Sequence, residues 1–183
     1  MDRIVVVGAS LAGLRACETL RSSGYAGAIT VIGAEPHQPY DRPPLSKSLL
    51  KGDWEPDRVL LRKPESLAGL ELDLRLGVSA IALDVAGRAV TLQSGEVVAG
   101  DGVIIATGSV PRPLPNQPEL DGVTMLRTLD DSLDLRRRLA TMPRVVVIGA
   151  GFIGLEVAAT AAQTGCAVTV LEGAPAPMMR GLG

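Results

Sequence analysis

The chain carries one local pattern twice, and that repetition limits its fold more than any other feature. Ile4 to Val7 is a continuous apolar run that ends in the turn Gly8-Ala9-Ser10-Leu11-Ala12-Gly13. Leu11, Leu14, Cys17 and Leu20 then recur at helical spacing, Gly24 is placed to cap the helix, and Ala28 to Ile32 reads as a second strand. The pattern restarts with Val145 to Ile148, the turn Gly149-Ala150-Gly151-Phe152-Ile153-Gly154, a helix, and a strand from Ala167 to Leu171. Continuous β-branched runs suit strands buried on both faces of a parallel sheet. Strand, helix and strand within about 30 residues is the length of a βαβ unit. The expectation is an α/β protein built from two such units.

A β-rich excursion separates the copies. Pro36 to Pro44 is a proline-dense loop and Leu45 to Lys51 a short helix. Leu72 to Leu76 alternates, Ser79 to Asp84 and Arg88 to Gln93 form a hairpin turning at Ala86-Gly87, and Val97-Val98 begin another strand. Val103 to Ala106 reads as a buried strand ending at Thr107-Gly108. Residues 109–118 hold four prolines and read as a linker, after which Asp130 or Asp131 caps a helix running to about Thr141. This gives a first domain over 1–113, carrying the hairpin or meander, and a second over 114–183. The second stops after two strands, too few to bury a doubly wound sheet. An incomplete second unit, and a chain that is a fragment, are therefore expected.

Aromatic residues are scarce (one Trp, two Tyr, one Phe), so the core must be aliphatic. A formal charge of −2 gives no general attraction to nucleic acid or anionic lipid. Cys17 and Cys166 have no CxxC spacing, which argues against a zinc site or a thioredoxin-like pair and fits a reduced compartment. The N-terminal apolar run is too short for a signal peptide or a membrane span. A cytoplasmic protein without membrane segments is expected.

A dinucleotide presents a pyrophosphate, and the free N–H groups at a helix N-terminus offer it donors and positive potential. Glycines let the strand turn sharply, let backbone approach the phosphates, and let the helix pack on the strand. The second copy has all three, Gly149, Gly151 and Gly154, with Phe152 and Ile153 opening the helix. Glu172 lies 18 residues past Gly154, near the ~20 expected for a ribose-binding acid. A carboxylate there would repel a 2′-phosphate, so NADH should be preferred to NADPH. In the first copy Ser10 replaces the second glycine, and its hydroxyl can donate to phosphate in place of backbone. Leu11 and Ala12 follow before Gly13, and Glu35 lies 22 residues beyond it. Either turn alone is also what a ligand-free strand–helix turn looks like; both together favour two dinucleotides.

Three stretches carry a more specific likeness: Pro39-Tyr40-Asp41-Arg42-Pro43-Pro44-Leu45-Ser46-Lys47, Ile104-Ile105-Ala106-Thr107-Gly108-Ser109-Val110-Pro111-Arg112, and Val147-Ile148-Gly149-Ala150-Gly151-Phe152-Ile153-Gly154-Leu155-Glu156. In these the chain resembles the FAD-containing, NADH-dependent ferredoxin and rubredoxin reductases that supply bacterial oxygenases. The resemblance runs from about Ile4 to the last residues. It implies FAD in the first Rossmann-type unit, NADH in the second, and a ferredoxin or rubredoxin as electron acceptor. It also implies that Arg42 and Lys47 lie against the flavin, that Ala106, Thr107 and Gly108 approach the cofactor, that backbone near Val78 and Ser79 meets the adenine, and that Glu156 sits near the nicotinamide. Without it, Arg42 and Lys47 read as solvated loop charges, Thr107-Gly108 as a strand-ending turn, and Glu156 as a first-turn helix carboxylate favoured by the dipole. His37 reads as a solvated loop residue, Trp54 as a packing residue and Cys17 as core. The alternatives are a non-catalytic FAD- or NADH-binding module, such as an apoptosis-factor-like relative, and a flavin disulfide reductase, which the cysteine positions disfavour.

Overall fold

The computed structural model describes residues 1–117 and 120–182; Pro118, the last proline of the expected linker, lies outside them. In chain order the elements are β1 (Arg3–Val7), α1 (Leu11–Ser22), β2 (Ala28–Gly33), α2 (Ser48–Lys51), α3 (Pro64–Ala68), β3 (Leu72–Leu76), β4 (Ala80–Asp84), β5 (Ala89–Leu92), β6 (Val97–Ala99), β7 (Gly102–Ile105), α4 (Leu129–Leu139), β8 (Arg144–Ile148), α5 (Phe152–Gln163), β9 (Ala167–Leu171) and α6 (Met179–Leu182). They fall into two compact units, one of 1–41 with 60–109 and one of 42–59 with 110–183. The segment 42–59, inside the first domain as read from sequence, therefore groups with the second unit.

The first unit is built on a parallel sheet of order β3-β2-β1-β7. Side chains of a strand alternate between faces, and β1 shows both faces in use. Ile4 and Val6 pack with Cys17 of α1, Ile29 and Val31, while Val5 and Val7 pack with Ile32, Val90, Leu92 and Val98. Val90, Leu92 and Val98 of the second set belong to the antiparallel meander β4-β5-β6, whose hairpin forms where expected. Covering both faces explains why β1 is apolar from Ile4 to Val7 and why β2 is apolar but for Thr30, whose hydroxyl donates to Asp73. One strand departs from expectation. Among the described residues β7 is last in the sheet order, its first three residues are half-buried and Ile105 is 65% exposed, where a buried strand was expected.

The second unit contains the parallel pair β8-β9 joined by α5. Val145 and Val168 join Leu50 of α2, Leu135 and Leu139 of α4, and Ala161 and Cys166 in its core. Val146, Ile148 and Leu171, by contrast, are exposed. Two sequence expectations change here. Leu45 to Lys51 is a 3-10 turn over Pro43–Ser46 followed by the single turn α2, and the two are separated at Lys47, whose φ of −124° and ψ of −108° are not helical. Helix α4 is capped by Thr128, neither Asp130 nor Asp131. The Thr128 hydroxyl accepts from the Asp131 N–H while the Asp131 carboxylate accepts from the Thr128 N–H, a capping box.

The turn and helix of the two copies repeat the same hydrogen bonds 141 positions apart. Leu14 N–H donates to Ser10 O, and Leu155 N–H to Gly151 O; Tyr25 N–H donates to Leu20 O, and Cys166 N–H to Ala161 O. Gly24 and Gly165 both end their helices at positive φ. Among the described residues no helix is long and apolar enough to cross a membrane.

Candidate functional site

In the first unit the carboxyl ends of β1, β2 and β7 bring the expected residues to one sheet edge. Gly8 N–H donates to Ile32 O, and Ala106 N–H to Val7 O. A Cβ at Gly8 would stand 2.0 Å from Ala106 O, and one at Gly13 1.8 Å from Gly8 O. These glycines are required by the protein's own backbone, at the turn and at the helix–strand contact. Ser10 is the N-cap of α1, and its side chain makes no capping hydrogen bond. The N–H groups of Leu11 and Ala12 open that helix, where no intrahelical acceptor exists. Thr107 and Gly108 are exposed next to this edge. Glu35 follows β2, and its carboxylate accepts from the buried Tyr40 hydroxyl. Val78 is pinned by donating its N–H to Gly33 O, just after β3.

The second turn has the same build. Gly149 N–H donates to Leu171 O, and a Cβ at Gly154 would lie 2.1 Å from Gly149 O. At Gly151 an added Cβ would meet no atom within 4 Å, so that glycine is not needed for packing and leaves open space at the mouth of α5. Phe152 and Ile153 open the helix with exposed side chains. Glu172 follows β9, and its carboxylate accepts from Ala150 N–H (2.7 Å) and Ala174 N–H (2.8 Å). That fixes the carboxylate beside the turn.

Next to this turn lies a cleft of about 280 Å³ that gathers Arg42, Lys47, Arg127, Phe152, Ile153 and Glu156. Lys47 Nζ is 2.6 Å from Glu156 Oε2 and also donates to Pro43 O (3.1 Å). The Ser46 hydroxyl donates to the same Oε2 at 2.5 Å. Burial pushes the Glu156 carboxyl up, but the hydrogen bonds from Lys47 and Ser46, with the Lys47 charge, outweigh it and hold the group below its ordinary value. Sequence placed Glu156 in the first helical turn. The helix begins at Phe152 and has no acid in that turn, so the carboxylate is governed by Lys47 and Ser46, not by the helix dipole.

Sequence reasoning passed over three groups here. Arg127 lines the cleft; its carbonyl accepts from Arg42 (2.6 Å) and its N–H donates to Asp131. Ser46 was seen only as part of a motif. Thr160 donates to Ser46 O at 2.8 Å; its spacing of four from Glu156 was the available clue, since both then lie on one helix face. The cysteines are both buried and unpaired, and burial raises the Cys17 thiol to about 11. Trp54 packs against a guanidinium, with Arg58 4.5 Å over its ring.

Two strand–glycine turn–helix units, each with a carboxylate after its second strand, define a paired Rossmann-type α/β protein. The chain belongs to the pyridine nucleotide-disulphide oxidoreductase family, whose model matches residues 2–183. It is 41% identical to the ferredoxin reductase component of chlorobenzene dioxygenase from Cupriavidus sp. (strain PS12), over 98% of this chain and 44% of that protein. It is also 41% identical to a rubredoxin-NAD(+) reductase of Pseudomonas putida, over 97% of this chain and 46% of that protein. Among solved structures it is similar to the ferredoxin reductase for the CYP199A2 system from Rhodopseudomonas palustris, with a TM-score of 0.91 and 40% identity over 98% of this chain and 45% of that one. The chain thus spans just under half the length of these relatives.

Proposed function

We propose that this chain supplies the FAD- and NADH-binding portion of a cytoplasmic flavoprotein reductase that passes electrons from NADH to a ferredoxin or rubredoxin serving an oxygenase. The observation that carries this reading is the Lys47–Glu156 pair beside the second glycine turn, in a chain 41% identical to proteins named for ferredoxin and rubredoxin reduction. The residues present fit two dinucleotides. The open space at Gly151 would admit a pyrophosphate to the N–H groups of Phe152 and Ile153. Ser10, with a hydroxyl unused in capping, is free to serve a phosphate at the first turn alongside the Leu11 and Ala12 amides.

Bound FAD would supply the conversion of a two-electron hydride into single electrons. The chain's own groups bind and orient. Glu35 and Glu172 are the acids for ribose hydroxyls, and Gly8, Gly13, Gly149 and Gly154 shape the two turns. Val78, Ala106, Thr107 and Gly108 offer backbone to the first dinucleotide. Lys47 holds a fixed cation that favours negative charge developing next to it, with Glu156 fixing the direction of its ammonium and Arg42 adding positive potential. Phe152 and Ile153 give the cleft an apolar wall that excludes water.

The test is anaerobic mixing of the FAD-incubated chain with NADH and a small ferredoxin or a rubredoxin, following the acceptor's absorbance. Acceptor bleaching that depends on the chain is expected, falling at least about tenfold in Lys47→Ala. A chain that binds neither dinucleotide, or that reduces a disulfide substrate instead, would overturn the proposal.

A further inference from the structure

The strongest unassigned feature is the way Ser46 is held. Its side chain is buried, and its hydroxyl hydrogen is given to Glu156 Oε2 at 2.5 Å, the oxygen that also receives Lys47 Nζ at 2.6 Å. The Ser46 Oγ in turn lies 3.4 Å from Lys47 Nζ. Lys47 therefore has three acceptors in reach, Glu156 Oε2, Pro43 O and Ser46 Oγ, matching the three donors of an ammonium.

The backbone under this serine is tied as well. A helical threonine commonly returns its hydroxyl to its own helix, to the carbonyl four residues back. Thr160 instead sends its hydroxyl to Ser46 O at 2.8 Å, and Thr160 is itself buried. Glu156 and Thr160 are one turn apart on α5, so the helix grips Ser46 at two points, accepting from its hydroxyl and donating to its carbonyl. Ser132 of α4 donates to the neighbouring Leu45 O at 2.7 Å, which fixes the loop from the other side.

We propose that Ser46 and Thr160 are positioning residues that set the geometry and ionisation of the Lys47–Glu156 pair. This rests on the reductase reading for its consequence in electron transfer, but not for the coupling itself. The charged groups around Glu156 in the cleft are Lys47, Arg42 and Arg127. All are cations, so removing the serine's hydrogen bond leaves a carboxylate still facing positive charge but held by one donor fewer. Its protonation then begins at a higher pH, and the ammonium of Lys47 loses its fixed direction.

The experiment follows the carboxyl carbon of Glu156 by NMR across a pH titration of the labelled, dinucleotide-free chain, beside NADH affinity and the rate of flavin reduction after loading with FAD. In Ser46→Ala the Glu156 midpoint should rise by about one pH unit and hydride transfer slow about tenfold, the acid limb of the rate profile moving up with it. NADH affinity should stay within about twofold, since Ser46 lies outside the glycine turn. Thr160→Val, which removes only the hydroxyl while keeping the side chain's shape, should act in the same direction, and Thr160→Ser should restore both readouts. Glu156 midpoints in both Ser46→Ala and Thr160→Val that match the unaltered chain would overturn the inference. If the unaltered chain does not reduce flavin but Ser46→Ala still raises the midpoint, the reductase reading fails and the positioning role stands.

Discussion

Replacing two glycines of the second turn should separate folding from binding. At Gly154 an added Cβ would lie 2.1 Å from Gly149 O and 3.3 Å from Val147 Cγ1. The obstacle is backbone, so relief requires α5 to move off β8 by about 1 Å. Overpacking of this kind costs roughly 1–3 kcal/mol, and the better helix propensity of alanine returns about 1 kcal/mol. Because the 2.1 Å approach is to backbone, the cost sits at the upper end of that range, and Gly154→Ala should lose about 2 kcal/mol of stability. Gly151 is the opposite case. Its φ of −80° and ψ of −178° suit any L-residue, it is the N-cap of α5, and nothing lies within 4 Å of an added Cβ. Aspartate, like the serine that stands in the equivalent place at Ser10, is favoured at such a cap. Gly151→Asp should keep stability within about 0.5 kcal/mol of the original. Its carboxylate would nevertheless put a negative charge where the pyrophosphate must approach, weakening NADH binding about tenfold or more. Urea unfolding followed by circular dichroism gives the first quantity and calorimetric titration with NADH the second. Unchanged NADH affinity in Gly151→Asp would refute the claim that this turn holds a dinucleotide. Undiminished stability in Gly154→Ala would refute the packing argument.

Other outcomes can be checked in the same unfolding assay. Arg21 donates to four carbonyls, those of Tyr25, Gly27, Leu70 and Glu71, and Arg21→Ala should lose roughly 2–3 kcal/mol. Thr128→Ala opens the capping box of α4 and should lose about 1 kcal/mol; equal stability would deny the box a role. Burial raises the Glu18 carboxyl, but hydrogen bonds from Arg62 and Arg15 and their charges outweigh it and leave the group below its ordinary 4.5. A depressed folded value means that the stability Glu18 contributes is complete above 4.5 and is lost as pH falls through the lower folded value. Stability should therefore fall less steeply with acid in Glu18→Gln than in the unaltered chain, and parallel curves would count against the ion pairs.

Much of this architecture was legible because its signals are local. A β-branched run, a glycine turn and an apolar stripe are each written within a few residues, so both βαβ units and the hairpin could be placed from sequence. What could not be read depends on contacts distant along the chain. Nothing local says that Ile105 of β7 is exposed. Thr128, Asp130 and Asp131 are all competent caps by type, and only the reciprocal bonds between Thr128 and Asp131 decide among them. Within the candidate site, Lys47 and Glu156 were legible through family motifs. Ser46 and Thr160 were not, because a hydroxyl meeting a carbonyl 114 residues away leaves no local mark, and the spacing of four between Glu156 and Thr160 says only that they share a helix face. The grouping of 42–59 with the second unit is hidden for the same reason.

The central claim is that one chain holds FAD at its first turn and NADH at its second. The most direct measurement is the visible spectrum of the chain after incubation with FAD and extensive dialysis, recorded anaerobically before and after adding NADH. A retained flavin spectrum that bleaches on addition of NADH is the predicted result. A colourless chain that also fails to bind NADH in titration would contradict the account.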